Sequence, residues 1–104
     1  MQGPYPAGTH HNISEVKTEW ERDLLIRGSR YHVIKSFIDL DGDKHPVGEE
    51  WSYIGSTFST YDNELILFVC TQSGEEWSIT LCWNPQYQQE VIENFTDYVK
   101  VGKN

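Results

Sequence analysis

Apolar residues recur at two periods along this chain, and the change of period divides it into elements. Ile13, Val16, Trp20 and Leu24 return at helical spacing, Asn12 and Glu15 have the form of a capping box, and Gly28 supplies a stop. The pattern predicts a helix over 13–27. Residues 31–38 are β-branched and aromatic and predict a strand; 49–55 alternate and predict a second. Between them Asp39 to Pro46 reads as a polar turn. Residues 64–71 and 76–83 predict two further strands joined by Gln72-Ser73-Gly74-Glu75.

With Ser73-Gly74 as a two-residue turn, Cys70 faces Trp77, Phe68 faces Ile79 and Ile66 faces Leu81. One face of the hairpin is then almost wholly apolar, Trp77 and Trp83 fall on it, and Cys70 and Cys82 take opposite faces. Apolar residues on both faces of 64–71 predict a central strand covered on each side. After Asn84-Pro85, a cap and a first helical residue, Tyr87, Val91, Ile92, Phe95, Tyr98 and Val99 form one stripe. The spacing predicts a C-terminal helix packed on the sheet. The expected fold is α+β: a small bent antiparallel sheet or open barrel of about four to five strands, with an N-terminal and a C-terminal helix. Residues 1–12, rich in Gly, Pro and His, read as a flexible arm, and 13–104 as a single α+β domain.

Composition changes this picture in one respect. The chain of 104 residues carries a net charge of −8. Residues 1–35 hold four acids and five bases, whereas 36–99 hold twelve acids and a single base, Lys44. Nucleic acid and anionic membranes demand Lys and Arg that this stretch lacks, so neither is expected as a partner. A basic protein would be drawn to such a field. No apolar run reaches the ~20 residues of a membrane span, and no secretion signal opens the sequence. A cytoplasmic location is expected, with Cys70 and Cys82 as free thiols.

The candidate chemistry is sparse. Asp39-Leu40-Asp41-Gly42-Asp43 resembles a calcium loop, but its Gly falls at the fourth place where an EF-hand needs the sixth, and flanking helices are missing. A hairpin turn is expected, with no metal and no cofactor. His10, His11, His32 and His45 have no ligand partners at metal spacing. Glu49-Glu50 and Glu75-Glu76 are adjacent in strands and point to opposite faces, so neither pair shares a proton. No nucleophile elbow or phosphate-cradling loop occurs, and no enzymatic activity is expected.

From Tyr31 to about Val99 the chain resembles an uncharacterised bacterial family of small domains, a domain of unknown function. The resemblance is carried by Tyr31-x-Val33, Phe37-x-Asp39-x-Asp41-Gly42, His45-x-x-Gly48-Glu49-x-Trp51, Gly55-x-x-Phe58-x-x-Tyr61-Asp62 and Leu65-x-Leu67-Phe68-Val69. It continues through Leu81-x-Trp83, Gln88-Gln89 and Asn94-Phe95-x-x-Tyr98-Val99. It implies one compact domain and brings no function. In size and charge alone the chain is similar to bacterial immunity proteins, the small acidic inhibitors (antitoxins) of secreted toxins.

Together these readings predict a non-enzymatic protein-binding domain, an immunity-type inhibitor that blocks a basic cleft of a toxin or enzyme partner. The expected contacts are Asp39, Asp41, Asp43, Glu49, Glu50, Tyr61, Asp62, Glu75 and Glu76, all in or beside turns. The alternative is a small-ligand or carbohydrate-binding module using exposed aromatics.

Overall fold

The computed structural model describes residues 1–9 and 25–102. Among these, the chain forms β1 (Gln2–Tyr5), β2 (Arg30–Val33), β3 (Phe37–Ile38), β4 (Lys44–His45), β5 (Glu50–Ser59), β6 (Glu64–Cys70) and β7 (Glu76–Cys82). A short helix α1 (Gln89–Glu93), a 3-10 turn (Phe95–Asp97) and β8 (Val99–Val101) follow. Six strands make one antiparallel sheet in the order β1-β7-β6-β5-β2-β8, and β3 pairs with β4 alone. The fold is mostly β, not the α+β arrangement with an N-terminal helix that the apolar pattern predicts. Most of the predicted helix lies outside the described residues, and Leu25, Ile26 and Arg27 at its end are not helical. No helix among the described residues is long and apolar enough to cross a membrane.

β5, β6 and β7 form a meander, and the register of its second hairpin is one residue away from the predicted one. Leu65 pairs with Leu81, Leu67 with Ile79 and Val69 with Trp77. The cause is the turn. Gly74 N–H donates to Thr71 O (3.0 Å), Thr71 N–H donates to Glu75 O (2.8 Å), and Gly74 has φ +93°. Gln72-Ser73-Gly74 is therefore a three-residue loop with glycine in the left-handed region, and the extra residue shifts every pair. Cys70 and Cys82 consequently share a face, opposite Glu76 and Glu64 at the two ends of the hairpin. Six residues of strand separate them, about 20 Å, and both are free thiols. Their pKa values are raised by burial first, then by Glu76 beside Cys70 and Glu64 beside Cys82.

β5 carries a register break between Tyr53 and Gly55. Trp51 and Tyr53 are buried before it, Ser56 after it. The inserted residue changes which parity faces the core and lets one long strand bend. The core gathers Tyr31, Val33, Trp51, Tyr53, Leu65, Leu67, Val69, Ile79 and Leu81 from the large sheet, with Phe37, Ile92 and Phe95 from the segments that cover it. Burying each such side chain contributes about 1.5–3 kcal/mol.

The predicted C-terminal helix is broken. Asn94 leaves helical geometry (φ −124°, ψ 32°), and both its N–H and its Nδ2 donate to Glu90 O. The N–H bond is the last of the helix, and the side-chain bond to the same oxygen competes with its continuation. Val99-Lys100-Val101 then pairs with Tyr31–Val33 and closes the flank of β2. Tyr98 and Val99 are buried, as a helical stripe would have them, but Val99 is buried in a strand.

At the other edge, Gln2–Tyr5, part of the segment read as an arm, pairs irregularly along β7. Gly3 permits the approach: with φ +140°, a Cβ there would lie 2.8 Å from Glu76 O and 2.9 Å from the Trp77 ring.

Candidate functional site

The acidic run after β3 folds into a hairpin tip built like the 71–75 turn. Asp39 N–H donates to Asp43 O (3.0 Å), Gly42 N–H donates to Asp39 O (3.0 Å), and Gly42 has φ +90°. Asp43 N–H also donates to Asp39 Oδ1 (3.0 Å), which fixes the loop from inside. Leu40 N–H donates to Thr80 O and ties the tip to β7.

Under this tip lies a chain of charged groups. His45 is fully buried and Asp39 is 1% exposed. His45 Nε2 is 2.8 Å from Asp39 Oδ2, and Nδ1 is 2.6 Å from Glu49 Oε2. Both ring nitrogens face carboxylate oxygens, an arrangement that favours the imidazolium, in which both donate. Trp51 Nε1–H donates to the same Glu49 oxygen (3.0 Å). Phe37 stacks on the imidazolium with centroids 4.7 Å apart and an interplanar angle of 16°. Burial acts to lower the His45 pKa, but the bonds to Glu49 and Asp39 outweigh it and hold the value above the usual one. Asp39 shows the mirror case. Burial acts to raise it, and the Met1 ammonium and His45 bring it below the usual carboxylate range.

The Met1 ammonium donates to Asp39 Oδ2 (2.7 Å), Asp41 Oδ2 (2.9 Å) and Asp43 Oδ2 (2.8 Å). Burial alone would lower its pKa, yet these three bonds push it up to about 10. Carboxylate oxygens of the three aspartates lie within 4.8 Å of one another, a spacing that a single cation can bridge. Of the described residues, these are the ones whose arrangement could hold a metal ion.

The structure thus brings together Asp39, Asp41, Asp43 and Glu49 from the nine predicted contact residues, and disperses the others. Asp39 and Glu76 are buried and cannot meet a partner; Glu76 accepts from Gly8 N–H (2.6 Å) beneath the N-terminal segment. Glu50 is exposed at the start of β5 and bonded by Arg30 Nη2 at 3.2 Å. Tyr61, 94% exposed, and Asp62 sit in the β5–β6 turn, whereas Glu75 sits in the β6–β7 turn at the opposite end of β6. Seven residues of β6 separate these turns by about 20 Å, so the nine do not form one patch. Of the tryptophans, Trp51 is buried, and Trp77 and Trp83 are partly buried against the core.

Sequence reasoning from charge missed His45 as the centre of this network. The signal was present in the spacing Asp39, His45, Glu49, Trp51 within a single stretch. Its meaning requires the hairpin, which folds Asp39 back over His45.

No family model matches the chain, and no curated protein does. Among solved structures, it is similar to an integron cassette protein from the mobile metagenome of Vibrio cholerae. The TM-score is 0.72 at 30% sequence identity, covering 76% of this chain and 87% of that one.

Proposed function

Since the chain belongs to one family with the integron cassette protein of Vibrio cholerae, we propose that it is a non-enzymatic protein-binding domain of a bacterial cytoplasm, docking a basic partner on the face around the β3–β4 hairpin. The observation that carries this reading is the anchored tip. Asp41 and Asp43 are exposed and, with Asp39, outnumber the one Met1 ammonium they share, so the tip keeps net negative charge on a loop held by backbone bonds and by the buried Asp39–His45–Glu49 chain. A charge displayed on a pre-ordered loop loses little entropy on binding.

Apolar material lies on the same segment. Ile34 (41% exposed) and Val47 (65%) flank the hydrogen bond from Gly48 N–H to Val33 O. Carboxylates of Glu49 and Glu50 follow directly. Acids beside a small apolar anchor suit a partner surface that offers Lys or Arg around an apolar spot. An immunity-type inhibitor covering a basic active-site cleft is the finer form of this proposal. Occupation of both His45 nitrogens supports the non-enzymatic reading, because the ring has no free lone pair with which to take a proton from a substrate.

Affinity capture with the wild-type chain and the Asp41→Asn/Asp43→Asn chain in parallel tests it. A partner that binds the wild type, associates more slowly as salt rises and binds the double variant about tenfold more weakly supports the proposal. A chain that captures no partner, or a partner indifferent to both salt and substitution, overturns it.

A further inference from the structure

We propose that the cleft between the β3–β4 hairpin and α1 binds a small organic carboxylate with an apolar, aromatic or branched body. The cleft measures about 360 Å³, and Phe37, Ile38, Tyr87, Val91 and Tyr98 supply its apolar walls. That volume lies at the small end of the range for ligand sites. Ile38 and Tyr87 are 55% and 58% exposed, large apolar surface left open at its rim.

The charged groups lining the cleft are one-sided. Gln88 is more than nine-tenths buried and lines it. Its Oε1 accepts from Cys82 N–H (3.0 Å), while its Nε2, with no partner among the described residues, is open to solvent and remains a donor. Lys44 also lines the cleft and has no ion pair among the described residues. The Lys35 ammonium rests 4.7 Å from the centroid of the Tyr98 ring, adding positive charge at the wall. No lining residue is acidic. Of the neighbouring carboxylates, Glu90 accepts from the hydroxyl of Tyr98, itself a lining residue, and Asp43 accepts from the Met1 ammonium. A site with an ammonium and an amide N–H over apolar and aromatic walls selects an anionic acceptor on an apolar body. A cation would find no carboxylate among the lining residues, only hydroxyls and aromatic faces beside the Lys44 ammonium.

Amide chemical shifts of the full chain titrated with phenylacetate test the site, with phenylacetamide and phenethylamine as neutral and cationic counterparts. Saturable shifts at Ile38, the Gln88 side-chain amide and Val91 are expected with phenylacetate. Binding weaker by roughly tenfold is expected for the amide and in Lys44→Gln, from loss of one charge-assisted bond. Lys44 is exposed, so that variant keeps the fold. The proposal is overturned by the absence of saturable shifts with both phenylacetate and the branched aliphatic isovalerate. It is equally overturned if phenethylamine binds as well as phenylacetate, or if Lys44→Gln leaves the affinity unchanged.

Discussion

His45 keeps a positive charge inside the protein because Asp39 and Glu49 sit on both of its nitrogens, and removing it would leave two carboxylates facing each other at the core. Loss of one partner in such a buried set typically costs about 3–5 kcal/mol. His45→Leu is therefore expected to lower the unfolding free energy by about that amount, read as a shift of the urea midpoint at constant slope. The pH dependence follows from the direction of each shift. The His45 pKa lies above its ordinary 6.5 in the folded state, so its contribution is complete below pH 6.5 and is lost as pH rises through the folded value. The Asp39 pKa lies below its ordinary 3.8, so its contribution is complete above that pH and is lost as pH falls through the folded value. The Met1 amino group, raised from 8.0 to about 10, adds a second alkaline loss between those values. Stability is expected to decline from above pH 6.5 onwards in the wild type, with the part preceding pH 8 absent in His45→Leu. Chemical denaturation at a series of pH values measures this. A wild-type curve flat from pH 6.5 to 9 would contradict the imidazolium assignment.

Two hairpins of this fold use the same device, a three-residue loop ending on a left-handed glycine, at Gly42 and Gly74. Placing an L side chain there costs about 1–2 kcal/mol. Gly74→Ala is expected to cost that much in a thermal unfolding experiment, since its Cβ would meet the Ala7 Cβ at 3.9 Å, an ordinary contact that leaves backbone strain as the main penalty. Gly3→Ala acts differently, because its Cβ would strike Glu76 O and the Trp77 ring. The expected outcome is detachment of β1, seen as faster amide exchange at Gln2 and Tyr5 while the exchange of β6 is unchanged. The strands themselves were legible, since β-branched and aromatic alternation places β5, β6 and β7 within a few residues of their observed bounds. Register was not, because a Ser-Gly pair fits a two-residue and a three-residue turn equally well and one residue reverses every pairing. The C-terminal stripe failed for a related reason. Tyr98 and Val99 are buried whether the chain continues as a helix or turns into an edge strand, and only the open flank of β2 favours the strand.

For the molecule as a whole, the acids of residues 36–99 do not make a single field. Tyr61 and Asp62 lie at one end of the sheet, Glu75 and Glu50 towards the other, and Asp39 and Glu76 are internal. The association rate of a basic partner is accordingly expected to respond to Asp41→Asn/Asp43→Asn and to remain within about twofold for Asp62→Asn, measured by stopped-flow at low and high salt. Equal responses at both ends would place docking elsewhere than the hairpin. The amino-acid sequence by itself determined the strand-forming segments, the glycine turns and the acidic character, because these depend on local sterics and on composition. Tertiary structure alone decided which acids are buried and which displayed, that His45 lies between two carboxylates, and that Val99–Val101 joins the sheet. Each of those outcomes depends on partners distant in the chain: Asp39 folded back onto His45, Gly8 over Glu76, and Val99 beside Val33. No periodicity within a single segment encodes such a contact.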